Sequence, residues 1–188
     1  MQAIAAKIQA NLNLRVFLVV LVIALATTWY GLGPALTHFA SLTGGLRFVD
    51  MQPTLTPATL LDQLRTYSPE TVHFYLGWSL FDVAWPFVTY TAMLFITAWL
   101  LRFLPPAWQQ RFWLFVGVAY TTVLMDWLEN VGFSTLVLVA PAEPMWVSQL
   151  AVWFHRAKLF FNMVYNVGFG LVLLWAIAAG VRRRLMTS

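Results

Sequence analysis

Four long apolar runs, at about 16–39, 74–101, 112–139 and 148–180, dictate what this chain can fold into. About 20 apolar residues at 1.5 Å per residue cross the hydrocarbon of a bilayer, and each run reaches that length. Inside lipid a segment must satisfy its own backbone hydrogen bonds, which a helix does. Composition agrees. The chain is 61% hydrophobic and 10% charged, against roughly 25% charged residues in a soluble domain. Its ten Trp and fifteen Phe suit the two membrane interfaces. The expected fold class is therefore all-α: a polytopic membrane protein, a four-transmembrane-helix bundle forming a single membrane domain over 1–188.

The stretches between the runs carry capping and turn signals. Met1 to Leu14 is polar enough for water or the interface, with Lys7 and Arg15 flanking the first run. Ala24-Leu25-Ala26 could pass for a signal-peptide cleavage site, but the apolar run continues beyond it. Thr27, Thr28, Gly31, Gly33 and Pro34 weaken the second half of that run and predict a kink or early end. The outer loop, 40–67, holds the turn signals Thr43-Gly44-Gly45 and Gln52-Pro53-Thr54. Thr56-Pro57 then reads as an N-cap with proline in the first turn. Leu60, Leu61 and Leu64 form a stripe behind it, which predicts a short amphipathic helix on the membrane surface or capping the bundle. Ser68-Pro69-Glu70 opens the second run, Pro86 predicts a kink within it, and Pro105-Pro106 ends it. Pro141 to Pro144 predicts a tight turn, and Arg182-Arg183-Arg184 a stop for the fourth run. Lys7, Arg15, Arg102, Arg111 and Arg182 to Arg184 fall on one side, and only Arg47 and Arg65 on the other. The positive-inside rule then puts both termini in the cytoplasm. Basic residues placed at the ends of apolar runs set topology, so the net charge of +4 is no sign of nucleic-acid binding.

The third run contains Asp126, Glu129 and Asn130 at i, i+3 and i+4, on one helical face. Two acids and an amide are costly in hydrocarbon, face the bundle interior as a rule, and need partners. The other runs supply them. The second carries Trp78, Asp82, Trp85 and Thr89 on one stripe. The fourth carries His155, Lys158, Asn162, Tyr165 and Asn166, with Arg156 beside them. By helical rise, Glu129 and Lys158 lie at about the same depth, about 15 Å from the outer helix ends. The expected pairs are Glu129 with Lys158, Asp126 with Asn162, and Asp82 with Arg156 or His155. Asp82, Asp126 and Glu129 then outnumber the cations Arg156 and Lys158, so a neutral histidine leaves one carboxyl protonated or without a full partner.

Other chemistries find less support. The chain has no cysteine, hence no disulfide, thiolate metal site or cysteine nucleophile. No Gly-x-Ser-x-Gly elbow and no phosphate loop occur. No cofactor and no metal site are expected; haem held by His38, His73 and His155 is the alternative, since facing histidines in a bundle can ligate iron.

Tyr67-Ser68-Pro69-Glu70, Phe81-Asp82-Val83-Ala84-Trp85-Pro86, Asp126-Trp127-Leu128-Glu129-Asn130 and Lys158 resemble the pattern of small bacterial four-span membrane proteins. The resemblance covers 67–158, about half of the chain, and implies no activity. A weaker likeness, of architecture alone, is to the sterol-isomerase and sigma-2-receptor group. That group also has four spans, a long first outer loop, a proline in the second span, and intramembrane carboxylates around an amphiphile pocket. Location in a bacterial inner membrane is the matching expectation.

Two functions follow from the polar layer. In one, Asp82, Asp126, Glu129, Asn130, His155, Arg156, Lys158, Asn162 and Asn166, with the aromatics Trp78, Trp85 and Tyr165, bind a lipid-like or amphiphilic molecule, with acid–base chemistry on it an open question. In the other, the chain is an accessory or assembly subunit of a larger membrane complex, or a homo-oligomer, and the layer fixes helix packing. A cavity bordered by Asp82, Glu129 and Trp85 favours the first, and a tightly packed bundle with a flat aromatic side favours the second.

Overall fold

Asn13 starts the first span. Its Oδ1 accepts the backbone N–H of Val16 at 2.9 Å and satisfies a donor that the helix start leaves free. The computed structural model describes residues 1–11, 13–139 and 145–187, with side chains described through 182. The first span runs Leu14–Thr43 without an early end. Its weak stretch, Thr27–Leu32, is wound as a π-helix instead. There the hydroxyls of Thr27 and Thr28 bond back to the carbonyls of Ile23 and Ala24, which loosens the α-helical ladder. Gly31 lets the second span come close: a Cβ there would lie 2.6 Å from Cζ of Phe81. Gly44, at φ +68°, ends the helix in the left-handed conformation that glycine adopts without strain.

The second span, Pro69–Leu101, is capped as its sequence predicts, with Ser68 Oγ accepting the N–H of Thr71 at 3.1 Å. The helix continues through Pro86. Near it, Trp127 Nε1 of the third span donates to the carbonyl of Val83 at 2.8 Å, which pins the two spans together. The third span is Phe112–Val139, and the fourth helix is Met145–Thr187. The fourth candidate span ends at Arg182, where the arginines begin, while the helix itself continues beyond the apolar run. The turn expected at 141–144 lies outside the described residues. All four spans are long and apolar enough to cross a membrane, and no strand occurs among the described residues. The chain is an all-α four-span membrane protein.

Two shorter helices complete the bundle. Pro57–Leu64 in the outer loop carries a capping box between Thr56 and Thr59. Its Leu60, Leu61 and Leu64 are buried against the third and fourth spans, so the helix caps the bundle. Gln2–Ala10 is a helix that the polar reading of the N-terminus missed; its Ala5 and Ile8 pack on the second and third spans.

The third and fourth spans form the most extensive contact. Gly132 sits at their crossing, where a Cβ would approach Cβ of Ala151 to 2.8 Å. Small residues of this kind allow the close backbone packing that drives helix association in lipid. The first span packs chiefly on the second and has no substantial contact with the fourth. Two apolar clusters fill the bundle. One contains Leu94, Phe112, Val116 and Tyr165, and the other Phe48, Leu60, Trp78 and Phe133. On each of the second, third and fourth spans, the polar residues lie in sequence between the two clusters.

Candidate functional site

Lys158 is the hub of that polar layer. Its Nζ lies 2.8 Å from Glu129 Oε2, 2.9 Å from Glu129 Oε1 and 3.1 Å from Asp126 Oδ1. Glu129 is fully buried, so this ammonium replaces the water that its carboxylate lacks. The pairing of Glu129 with Lys158 stands as the helical depths predict. Asp126, however, pairs with Lys158 and not with Asn162. The lysine stem spans the last turn to the acid, whereas the Asn162 Oδ1 is taken by Tyr90 Oη at 2.8 Å and by Asn166 Nδ2 at 2.6 Å.

Asp82 also differs from expectation. It pairs with neither Arg156 nor His155, but accepts from Asn130 Nδ2 at 2.9 Å. The same amide lies 3.3 Å from Asp126 Oδ2, so Asn130 bridges the carboxyls of the second and third spans. Arg156 lies outside the layer. It is exposed and reaches the carbonyl of Leu55 at 3.5 Å, because i+1 from His155 points away from the stripe.

His155 is fully buried and faces the outer loop. Its Nε2 lies 2.8 Å from the carbonyl of Gln52, which can only accept, so this nitrogen carries a proton. Its Nδ1 lies 3.0 Å from Glu129 Oε1. That contact needs one further proton, on the ring or on the carboxyl. In either form the Glu129–His155 pair sums to zero charge. With both ring nitrogens engaged, His155 has no free lone pair for an iron. His38 and His73 are exposed, His38 lying edge-on to Phe74 at 4.7 Å. Among the described residues, no group of three or more His, Asp or Glu is arranged to hold a metal ion.

The residue that sequence reasoning missed is Asp50. The loop between the first span and its helix folds inward at Phe48, Val49 and Asp50, all of them buried. Lys158 Nζ takes the Asp50 carbonyl at 3.3 Å, and His155 takes that of Gln52, so the fourth span holds this loop over the layer by its backbone. Asp50 is 7% exposed, and its Oδ1 accepts no hydrogen bond from the described residues. A signal was present: Phe48, Val49 and Met51 flank the acid in a segment otherwise made of turn residues, and an exposed loop has no use for them.

Burial pushes the Asp50 carboxyl up to about 7; Lys158 opposes this, while Asp82 and Glu129 add to it. A carboxyl that binds its proton more tightly folded than unfolded destabilises the fold as pH rises from about 4 through about 7. Asp50→Asn is therefore expected to raise the unfolding free energy in detergent at pH 8, by at most about 4 kcal/mol, and to do little at pH 4.5. An effect independent of pH would show that this carboxyl is not the group strained by burial.

Beside the layer lies a cavity of about 460 Å³. Asp50, Asp82, Asp126 and Lys158 form its charged side. Leu32, Met51, Pro86, Met93 and Leu159 are among its apolar walls. Trp85 lines it with Nε1 donating to Thr28 Oγ1 at 3.1 Å, which ties the wall to the π-helical turn of the first span. Asn162 and Asn166 line it too, with Tyr90, Thr89 and Thr122. The cavity lies where the first and fourth spans stand apart, and exposed Asn166 marks its lipid-side rim. Glu129, Asn130 and His155 stand behind the wall and hold it. Trp78 and Tyr165 are not part of it. Trp78 stacks on Phe48 with ring centres 5.2 Å apart, and the Tyr165 hydroxyl lies 3.0 Å from Thr97 Oγ1. A half-open apolar chamber with acids on one side can bind the polar end of a molecule whose tail remains in hydrocarbon. No protein-family model, curated protein or solved structure matches this chain.

Proposed function

We propose that this protein binds a lipid-like or amphiphilic small molecule in its intramembrane cavity, with the polar layer receiving the head of that molecule. The supporting observation is the chamber of about 460 Å³, which joins buried Asp82 and Asp126 to an apolar wall at the gap between the first and fourth spans. A layer serving helix packing alone needs no space beside it. The volume falls within the roughly 300–1,000 Å³ common for small-molecule sites. Native mass spectrometry of the protein released from detergent tests the reading: a retained molecule of lipid-like mass is expected. Substituting Thr89→Trp, which fills the chamber from the second span, should abolish its retention. Retention unchanged by that substitution would overturn the proposal.

The accessory-subunit reading keeps one supporting observation, the exposed Trp146, Trp153 and Phe160 along the fourth helix. The same spectrum reports it, since a ligand-free protein retained together with a co-purifying membrane partner would favour it. We propose further, from the positive-inside rule, that both termini are cytoplasmic, and from the sequence resemblance that the membrane is a bacterial inner membrane. Single cysteines at Ser41 and Gln110 test that placement. An impermeant thiol reagent added outside is expected to label the first and not the second; the reverse pattern would invert the topology.

A further inference from the structure

We infer that the head received by the cavity is cationic, a protonated amine seated between Asp50 and Asp82. The inference rests on the amphiphile-binding reading and names the ligand class for that site. Charge balance carries it together with geometry. Glu129 and His155 sum to zero charge through their shared hydrogen bond. Asp50, Asp82 and Asp126 then face one ammonium, Lys158. Lys158 is already committed to Glu129 and Asp126, at 2.8 and 3.1 Å. Asp82 has an amide for a partner, and Asp50 Oδ1 has none. Both acids line the cavity and both are more than nine-tenths buried. A buried carboxylate without a cation is costly, and an entering ammonium removes that cost where an alcohol or a carboxylate cannot.

An anionic head is the contrary possibility, since Lys158 also lines the cavity. Three considerations count against it. The ammonium is saturated by two carboxylates and the Asp50 carbonyl. An anion would stand among acids from the loop, the second span and the third span. Finally, the one polar atom of the lining that is buried without a partner is an acceptor, Asp50 Oδ1, which calls for a donor.

The experiment compares tetradecylamine, tetradecanol and tetradecanoate at equal mole fraction in maltoside micelles, read as shifts of the unfolding midpoint. The full-length protein is expected to be stabilised by the amine well beyond the alcohol, and least by the carboxylate. Asp50→Asn and Asp82→Asn should each weaken the apparent affinity for the amine about tenfold or more, the loss expected when a charge-assisted contact is removed. Each variant is compared with its own ligand-free midpoint, so its change in basal stability does not enter. The amine stays protonated from pH 5 to 8.5, so a fall in its affinity at low pH reports protonation of acids in the protein. The titratable groups that act on Asp50 are Lys158, Asp82 and Glu129, with the hydroxyls of Tyr67 and Tyr75. Equal effects of amine and alcohol, or preference for the carboxylate, would overturn the cationic assignment and leave amphiphile binding standing. Stabilisation by none of the three would overturn both. An amine effect untouched in both variants would overturn the seat between Asp50 and Asp82.

Discussion

Lys158→Met is expected to lower thermal stability in detergent more than any other single change in the polar layer. One ammonium serves Glu129 and Asp126 and also takes the Asp50 carbonyl, so its loss strands two buried carboxylates and releases the loop. Breaking a buried ion pair by removing one partner costs about 3–5 kcal/mol, and here two pairs share the lost partner. Glu129→Gln costs less, because Lys158 keeps Asp126 and the new amide can still bond to His155. The double change is expected to cost clearly less than the sum of the two, since both charges leave together. It does not return to the starting stability, because Asp126 remains without its cation; adding Asp126→Asn recovers part of the rest. Urea or thermal melts of the four corner proteins measure this coupling. Strict additivity would show that Glu129 and Lys158 do not act as a pair.

His155→Leu is expected to open the inward loop. The substitution is close in size and fills the same buried space, but it removes the donor to the Gln52 carbonyl and the partner of Glu129 Oε1. A buried acceptor left without its donor costs about 1–3 kcal/mol. The loss falls on the segment holding Phe48, Val49 and Asp50, whose own backbone bonds are the short turns from Met51 N to Phe48 O and from Gln52 N to Val49 O. Hydrogen exchange of amides 48–52 should rise about five- to 150-fold, as a local opening loses about 1–3 kcal/mol of protection. Exchange in the Pro57–Leu64 helix should change less, since Leu60, Leu61 and Leu64 are anchored independently. Unchanged protection at 48–52 would show that Phe48, Val49 and the Lys158 contact to the Asp50 carbonyl hold the loop without the histidine, and His155 would then be a partner of Glu129 only.

Much of the architecture is written in local chemistry. Apolar length marks the four spans, and Ser68-Pro69 and Thr56-Pro57 start helices where they stand, because capping depends on neighbours three residues away. The stripe of Asp126, Glu129 and Asn130 must face inward whatever packs against it, since hydrocarbon tolerates none of them. Matching depths were enough to join Glu129 to Lys158. They could not choose the other partners, because a long lysine covers one turn of the facing helix and reaches Asp126 as well. Nor could periodicity separate Arg156 from its neighbours: one residue of rotation sends it out of the layer.

Asp50 marks the boundary between what the sequence determined and what tertiary structure decided. Chain chemistry alone settled the helical class, the four spans, their caps and the demand for buried partners, because each of these follows from residues close along the chain or from the solvent the runs must meet. Only the folded arrangement decided that a loop outside the spans turns inward, that its carbonyls meet His155 and Lys158, and that a space opens beside Asp82 and Asp126. Those contacts join residues about a hundred positions apart in the chain. Their free energy depends on the packing of the first span against the second and away from the fourth, and no local pattern carries that information.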